Sequence, residues 1–289
     1  MKKTITVVLA VKNEEDIVEG ALKNSRWADE IIVVDQNSTD RTVEICKRYT
    51  DKVIISEGGE DGTVQANWNL GFDAASSDWI QILAADERIP EKAQIEILEL
   101  IQRESFVAYE TRILPFMFGK FIVGGGWLDG WQVRLFKRGV TRFNETGWHV
   151  MLKLNDLPVG KLKYPMLHFA SPDIYTWIRK MNHYTTRDAK MSFEKGFGGI
   201  AREKTPDVTG FRLFWRSFKV LIRTYFVRKG YIDGIHGLIL SVFYAFYIFL
   251  EDSCLFELQY KDRNNMLGHS NLIDKNDSID VAPYIYSEK

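Results

Sequence analysis

Cysteine is nearly missing: Cys46 and Cys254 are the only two in 289 residues. They lie far apart and match no metal-ligand spacing, and two thiols cannot build a disulfide framework, so buried thiols in a reducing compartment are expected. An excess of one charge is missing too. The net charge of −1 gives no global attraction for nucleic acid, so a charged partner has to be met by a local patch. No apolar signal-peptide run separates Met1-Lys-Lys-Thr4 from the first strand-like segment, and the expected location is the cytoplasm. What is present is 45% apolar residues, enough for a sizeable core, and 13% aromatics gathered in the second half.

Short β-branched or apolar runs at 4–11, 30–35, 52–56 and 78–85 read as strands. Helical patterns follow them to Trp27 and over 42–49, 63–75 and 91–103. This βαβαβαβα order predicts an α/β fold with a mostly parallel sheet and helices on both faces. Ligands of such sheets bind beyond the carboxyl ends of the strands. Three of those ends are polar: Lys12-Asn13-Glu14, Asp35-Gln36-Asn37 and Asp86-Glu87. One acidic strand end is also what a solvated turn looks like; three on one rim point to a site.

Beyond 106 the pattern changes. Strands are expected at 107–113, 132–136 and 161–168, and a helix at 173–194 carrying Trp177, Lys180 and Tyr184. Residues 119–131 hold five glycines and two tryptophans. They fit a flexible acceptor-binding loop and a tight turn around packed Trp equally well.

Val7-Val-Leu-Ala-Val-Lys-Asn-Glu-Glu15, Val33-Val-Asp-Gln-Asn-Ser-Thr-Asp-Arg-Thr42 and Trp79-Ile-Gln-Ile-Leu-Ala-Ala-Asp-Glu-Arg88 together resemble the family-2 glycosyltransferases, inverting enzymes of GT-A fold. Val133-Arg-Leu-Phe-Lys-Arg138, with Arg134, and Tyr231-Ile-Asp-Gly-Ile-His-Gly237 resemble its small bacterial lipopolysaccharide-core type. The resemblance implies a nucleotide-sugar donor, a UDP-sugar first, and a lipid-linked or lipopolysaccharide-type acceptor. It places Val11, Asn13 and Glu14 on the nucleotide rim, Asp35 on the base or ribose, and Asn67 and Ala85 on further donor contacts. Asp86 matches the last Asp of the Asp-x-Asp element, which holds Mg²⁺ or Mn²⁺ on the diphosphate; Glu87 follows it. His149 and His168 are further candidates for diphosphate contacts, with a packed or capping role as the alternative for each.

The departures matter as much. Ala84 stands where the first Asp of that element is usual, Ala66 precedes Asn67 where a basic residue is common, and Val150 replaces the Glu of a His-Glu pair. Inversion needs a base near the acceptor hydroxyl, and Asp129 and Glu145 are the candidates, ahead of Asp156. The alternative to an active enzyme is a catalytically impaired member that binds nucleotide sugar or a partner protein at the membrane.

Residues 210–230 add a second theme. Arg212, Arg216, Lys219 and Arg223 recur at helical spacing, Trp215 and several phenylalanines fill the remainder, and no acid intervenes. This is the composition of an interfacial helix facing anionic lipid. Residues 234–250 carry no Asp, Glu, Lys or Arg. They are expected to pack on the basic helix as a membrane-surface platform rather than to span a bilayer, with an oligomer contact as a further option. The expected organisation is a catalytic domain over 1–205, a membrane-surface region over 206–260 and a polar tail over 261–289. The enzyme would then lie peripherally on the inner face of the cell membrane.

Overall fold

The computed structural model describes residues 2–57, 64–103, 105–143, 152, 154, 157–195 and 207–264. In chain order the elements are β1 (Ile5–Val11), α1 (Val18–Asn24), β2 (Glu30–Asp35), α2 (Thr42–Cys46), β3 (Val53–Ile55), α3 (Val64–Ala74), β4 (Trp79–Ile82), β5 (Glu87–Arg88) and α4 (Glu91–Arg103). They continue with β6 (Ala108–Met117), β7 (Lys120–Phe121), β8 (Trp131–Lys137), β9 (Val159–Lys161), β10 (Met166–Ser171), α5 (Ile174–Lys195), α6 (Gly210–Ile222) and α7 (Ile235–Arg263).

The period-two alternation of β1 builds both core layers. Ile5, Val7 and Leu9 meet Leu22 of α1 and Ile97 and Ile101 of α4 on one face, while Val8 meets Trp68 and Phe72 of α3 on the other. Strands β3, β2, β1 and β4 are parallel, as expected. The sheet continues through β8, β6, β10 and β5, with antiparallel joins at β4–β8, β8–β6 and β10–β5. Several boundaries differ from the sequence expectation: α1 ends at Asn24, short of Trp27, and β6 runs on to Met117, beyond 113. The strand expected over 78–85 stops at Ile82, because Glu87 accepts the Ala84 N–H at 2.9 Å and turns the chain out toward β10. The helix expected over 42–49 ends at Cys46 in a turn. The strand expected over 161–168 is two, β9 and β10.

The Gly-rich segment is a tight turn clamped to the C-terminal region. Asp233, 2% exposed, accepts the N–H groups of Val123 (3.2 Å) and Gly124 (2.7 Å). A Cβ on Gly124 would meet the Lys229 carbonyl at 2.4 Å, and one on Gly237 would meet the Gly230 carbonyl at 1.8 Å. The close approach therefore requires glycine at both positions. His236 Nε2 lies 3.1 Å from the Phe118 carbonyl, completing the clamp.

Helices α5 and α6 both pack along α7. Asp252 of α7, fully buried, accepts from Arg212 (3.0 Å) and Arg216 (2.6 Å), and Arg216 also reaches Glu251 at 3.2 Å. The basic stripe is thus divided: Arg212 and Arg216 bind the acids of α7, while Lys219 and Arg223 are exposed. On α7, Ile235, Leu238, Val242, Phe246, Phe249, Phe256 and Tyr260 form a continuous exposed stripe, and Phe211, Phe214, Trp215 and Phe218 of α6 are exposed too. By length and composition α7 could cross a membrane. It runs through Arg263, past the expected start of the tail at 261; residues 265–289 lie outside the described ones.

At the amino ends of the strands, Glu30 gathers four donors from three segments. It accepts from Thr6, Lys52 and both the N–H and the Oγ of Ser76, each of the last two at 2.9 Å. Burial alone would raise its pKa, but these donors hold it at about 2 against an ordinary 4.5. Its folded-state pKa is depressed, so its contribution is present above the unfolded value and lost as pH falls through the folded one. Glu30→Gln should lower unfolding free energy by about 1–3 kcal/mol at pH 7. Urea titrations should show the gap to the parent protein closing between pH 4.5 and about 2; a gap independent of pH would contradict this account.

Candidate active site

The site is assembled by strand ends. After β1, Asn13 takes a left-handed conformation (φ 53°), and its Oδ1 accepts the Thr39 N–H at 2.8 Å. Ser38 Oγ accepts the Asn13 N–H, and Thr42 Oγ1 accepts the Glu14 N–H, both at 2.8 Å. The loops after β1 and β2 are thereby laced into one rim. Asp35 is fully buried and both its oxygens are engaged by Ser38, through the N–H at 2.8 Å and the hydroxyl. Val11 ends β1 with its side chain buried and its carbonyl on the Gln36 N–H. Asn67, 1% exposed on α3, has no hydrogen-bond partner for either amide atom among the described residues. A buried, unpaired amide is the kind of group a ligand completes.

The register of β5 against β10 places the chemistry beyond β4. His168 pairs with Glu87, and the Phe169 N–H donates to the Asp86 carbonyl at 2.8 Å. His168 therefore stands beside Asp86, Nε2 to Oδ2 3.1 Å. Burial would raise the Asp86 pKa, but the hydrogen bond and charge of His168, together with Lys180, hold it below the usual carboxylate value. Glu14 shifts the other way, raised by burial and then by the Asp86 carboxylate, with Lys180 opposing. Glu14, Asp86, His168 and Lys180 thus form one electrostatic group drawn from the segments after β1 and β4, from β10 and from α5.

The neighbours of Asp86 have structural work. Glu87, 2% exposed, takes the Ala84 N–H on one oxygen and Arg134 on the other at 2.8 Å. The Ala85 carbonyl accepts from Arg88 at 2.7 Å. No group of three His, Cys, Asp or Glu ligands occurs among the described residues. Asp86 nevertheless fits a divalent cation whose remaining ligands are phosphate oxygens and water, and His168 offers beside it an imidazole nitrogen, a ligand that suits Mn²⁺ better than Mg²⁺.

A cavity of about 450 Å³ opens from this corner, bounded by β6, β10, Trp127, α5 and α7. Trp177, Lys180, Met181 and Tyr184 of α5 line it, as do Tyr244 and Tyr247 of α7. Asp129 lies two residues from Trp127; its carboxylate is exposed and 3.9 Å from Arg228. Glu145 and His149 lie outside the described residues. Sequence reasoning assigned no role to Lys180, although its i, i+3, i+4, i+7 spacing with Trp177, Met181 and Tyr184 marks one helix face. A larger hollow, about 650 Å³, lies at the amino ends of the strands around Glu30 and Lys52. It holds none of these residues.

The profile described as glycosyl transferase family 2 matches residues 6–149. An uncharacterised glycosyltransferase of Rickettsia typhi is 26% identical, over 100% of this chain and 98% of its own. A lipopolysaccharide core biosynthesis glycosyltransferase, LpsC of Rhizobium meliloti, is 23% identical over 89% of this chain and 93% of its own. Among solved structures, residues 1–349 of S. aureus TarS align with a TM-score of 0.46 at 13% identity, covering 90% of this chain and 92% of that one.

The Glu87–Arg134 pair should act on stability. Glu87→Gln keeps an acceptor for Ala84 and removes the charge, so it should destabilise the fold by about 2–3 kcal/mol, measured by chemical denaturation. Unchanged stability would show that Glu87 does not anchor this turn.

Proposed function

The chain belongs to glycosyl transferase family 2, and on that premise we propose an inverting, metal-dependent sugar transfer from a UDP-sugar to a lipid-linked or lipopolysaccharide-type acceptor at the cytoplasmic face of the membrane. The observation that carries the reading is the Asp86–His168 pair, beside Glu14 and Lys180, at the carboxyl ends of the strands. Asp86 and His168 would hold Mg²⁺ or Mn²⁺, which when bound offsets the charge of the leaving diphosphate. Lys180 adds a cation on the same side. Asn67 offers its unpaired amide to the nucleotide sugar, and the interlocked rim of Asn13, Glu14 and Ser38 shapes the nucleotide's bed. The acceptor hydroxyl attacks the anomeric carbon opposite the leaving diphosphate, and a carboxylate, Asp129 or Glu145, takes its proton.

A second reading, a member impaired in turnover, is favoured by Ala84. Both are tested by following UDP release from a panel of UDP-sugars with Mn²⁺ and with EDTA. Release should require metal and fall at least 100-fold in Asp86→Asn, about 2.7 kcal/mol of transition-state stabilisation. Absence of release and of metal-dependent UDP binding would sink the enzyme reading; activity gained only with Ala84→Asp would favour the impaired member.

The membrane reading is supported by the exposed aromatic stripes of α6 and α7 flanked by Lys219 and Arg223. Flotation on liposomes containing anionic lipid should be lost on charge reversal of Lys219 and Arg223 combined with Phe211→Ser and Phe214→Ser. Flotation equal to the parent protein would count against a lipid partner.

A further inference from the structure

The cavity has two chemically different ends. Its charged end is Asp86, His168 and Lys180, the corner assigned above to donor and metal. Its other end is aromatic. Trp177, 9% exposed, is backed by Phe243 in a stack with 4.9 Å between centroids. Tyr244 packs edge-on to Trp127 at 5.8 Å and lies nearly parallel to Tyr247 at 6.1 Å. The side chains are held by one another, so the wall is preformed.

Two observations narrow what fits there. First, among the described lining residues the Asp, His and Lys side chains are Asp86, His168 and Lys180, which sit together at the donor corner, and no Lys or Arg is among the lining residues of the aromatic end. Arg187 of α5 pairs with Asp188 at 3.2 Å and lies over the Tyr184 ring at 5.0 Å. A phosphate or carboxylate at this end would lose water without gaining a counter-charge. Second, the Tyr247 hydroxyl donates to Asp188 Oδ2 at 2.5 Å. Its proton is committed, so its oxygen can only accept, and the group that meets it must be a donor.

We propose that this aromatic end is the acceptor subsite and that it takes an uncharged sugar ring. The C–H face of the ring lies against the Trp127, Trp177 and Tyr244 wall, and a ring hydroxyl donates to the Tyr247 oxygen. Aromatic faces carry negative charge density and suit C–H groups, while the ring's hydroxyls stay on the polar rim. The proposal rests on the glycosyltransferase reading and specifies its acceptor: a neutral sugar, with phosphorylated and carboxylated sugars disfavoured.

The test is equilibrium binding of alkyl glycosides to the full chain, read by ligand-observed NMR without donor, so that it does not depend on turnover. The probes are octyl glucoside, octyl galactoside and octyl N-acetylglucosaminide, used below their critical micelle concentrations and set against octyl glucuronide and octyl glucoside 6-phosphate. At least one neutral glycoside should bind ten times more tightly than either anionic one. Trp127→Ala and Tyr244→Ala should each weaken that binding at least tenfold, whereas Tyr244→Phe, which keeps the ring, should restore it. Equal or tighter binding of the anionic glycosides, or parent-like binding by both alanine variants, would overturn the proposal. UDP titration is a separate arm: its failure removes the nucleotide-sugar reading, and the glycoside comparison still decides the subsite.

Discussion

Glu87 lies 2% exposed between the Ala84 N–H and the Arg134 guanidinium, and the active corner depends on that placement. Had β4 continued straight, the period of two would have carried Asp86 onward as one more strand residue. Instead the buried carboxylate closes a turn, shifts Glu87 and Arg88 onto β10, and leaves Asp86 beside His168. Removing a buried charge from its partner is costly because the partner stays uncompensated. The pair therefore resists change for reasons of position, although neither member needs to touch substrate.

The same corner shows how two carboxylates on one rim are driven apart in character. Burial raises both Glu14 and Asp86. Asp86 has the imidazole at hydrogen-bond distance and Lys180 nearby, and it ends below its usual value. Glu14 has Asp86 for a neighbour and ends above its own. For Asp86 the strand register supplies the cations that reverse the effect of burial, whereas for Glu14 burial sets the direction and the neighbouring carboxylate adds to it.

The parallel half of the sheet and its three polar strand ends were legible in the sequence because they are local: apolar runs followed by acids, at βα spacing. The joins to β8 and β5 were not, since antiparallel pairing at a distance leaves no periodic mark. His168 could be noticed but not paired, because its contact with Asp86 spans 82 residues and depends on one strand register. Helical spacing put Arg212 and Arg216 on one face of α6, yet could not say that Asp252 and Glu251 would meet that face. The glycines at 124 and 237 were ambiguous for a similar reason: what forbids a side chain there is a carbonyl from a distant segment.

Helix α7 presents Tyr244 and Tyr247 to the cavity and Val242, Phe246 and Phe249 to the outside, on nearly opposite sides. A helix with its side chains is roughly 10–12 Å across. If lipid covers the outer stripe, one helix thickness is all that separates hydrocarbon from the cavity. That thickness becomes a ruler: sugars within a few units of the anchor can double back over α7, while the far end of a long glycan would be held away in solvent. Chain length of the acceptor would then be sorted by the diameter of a single helix.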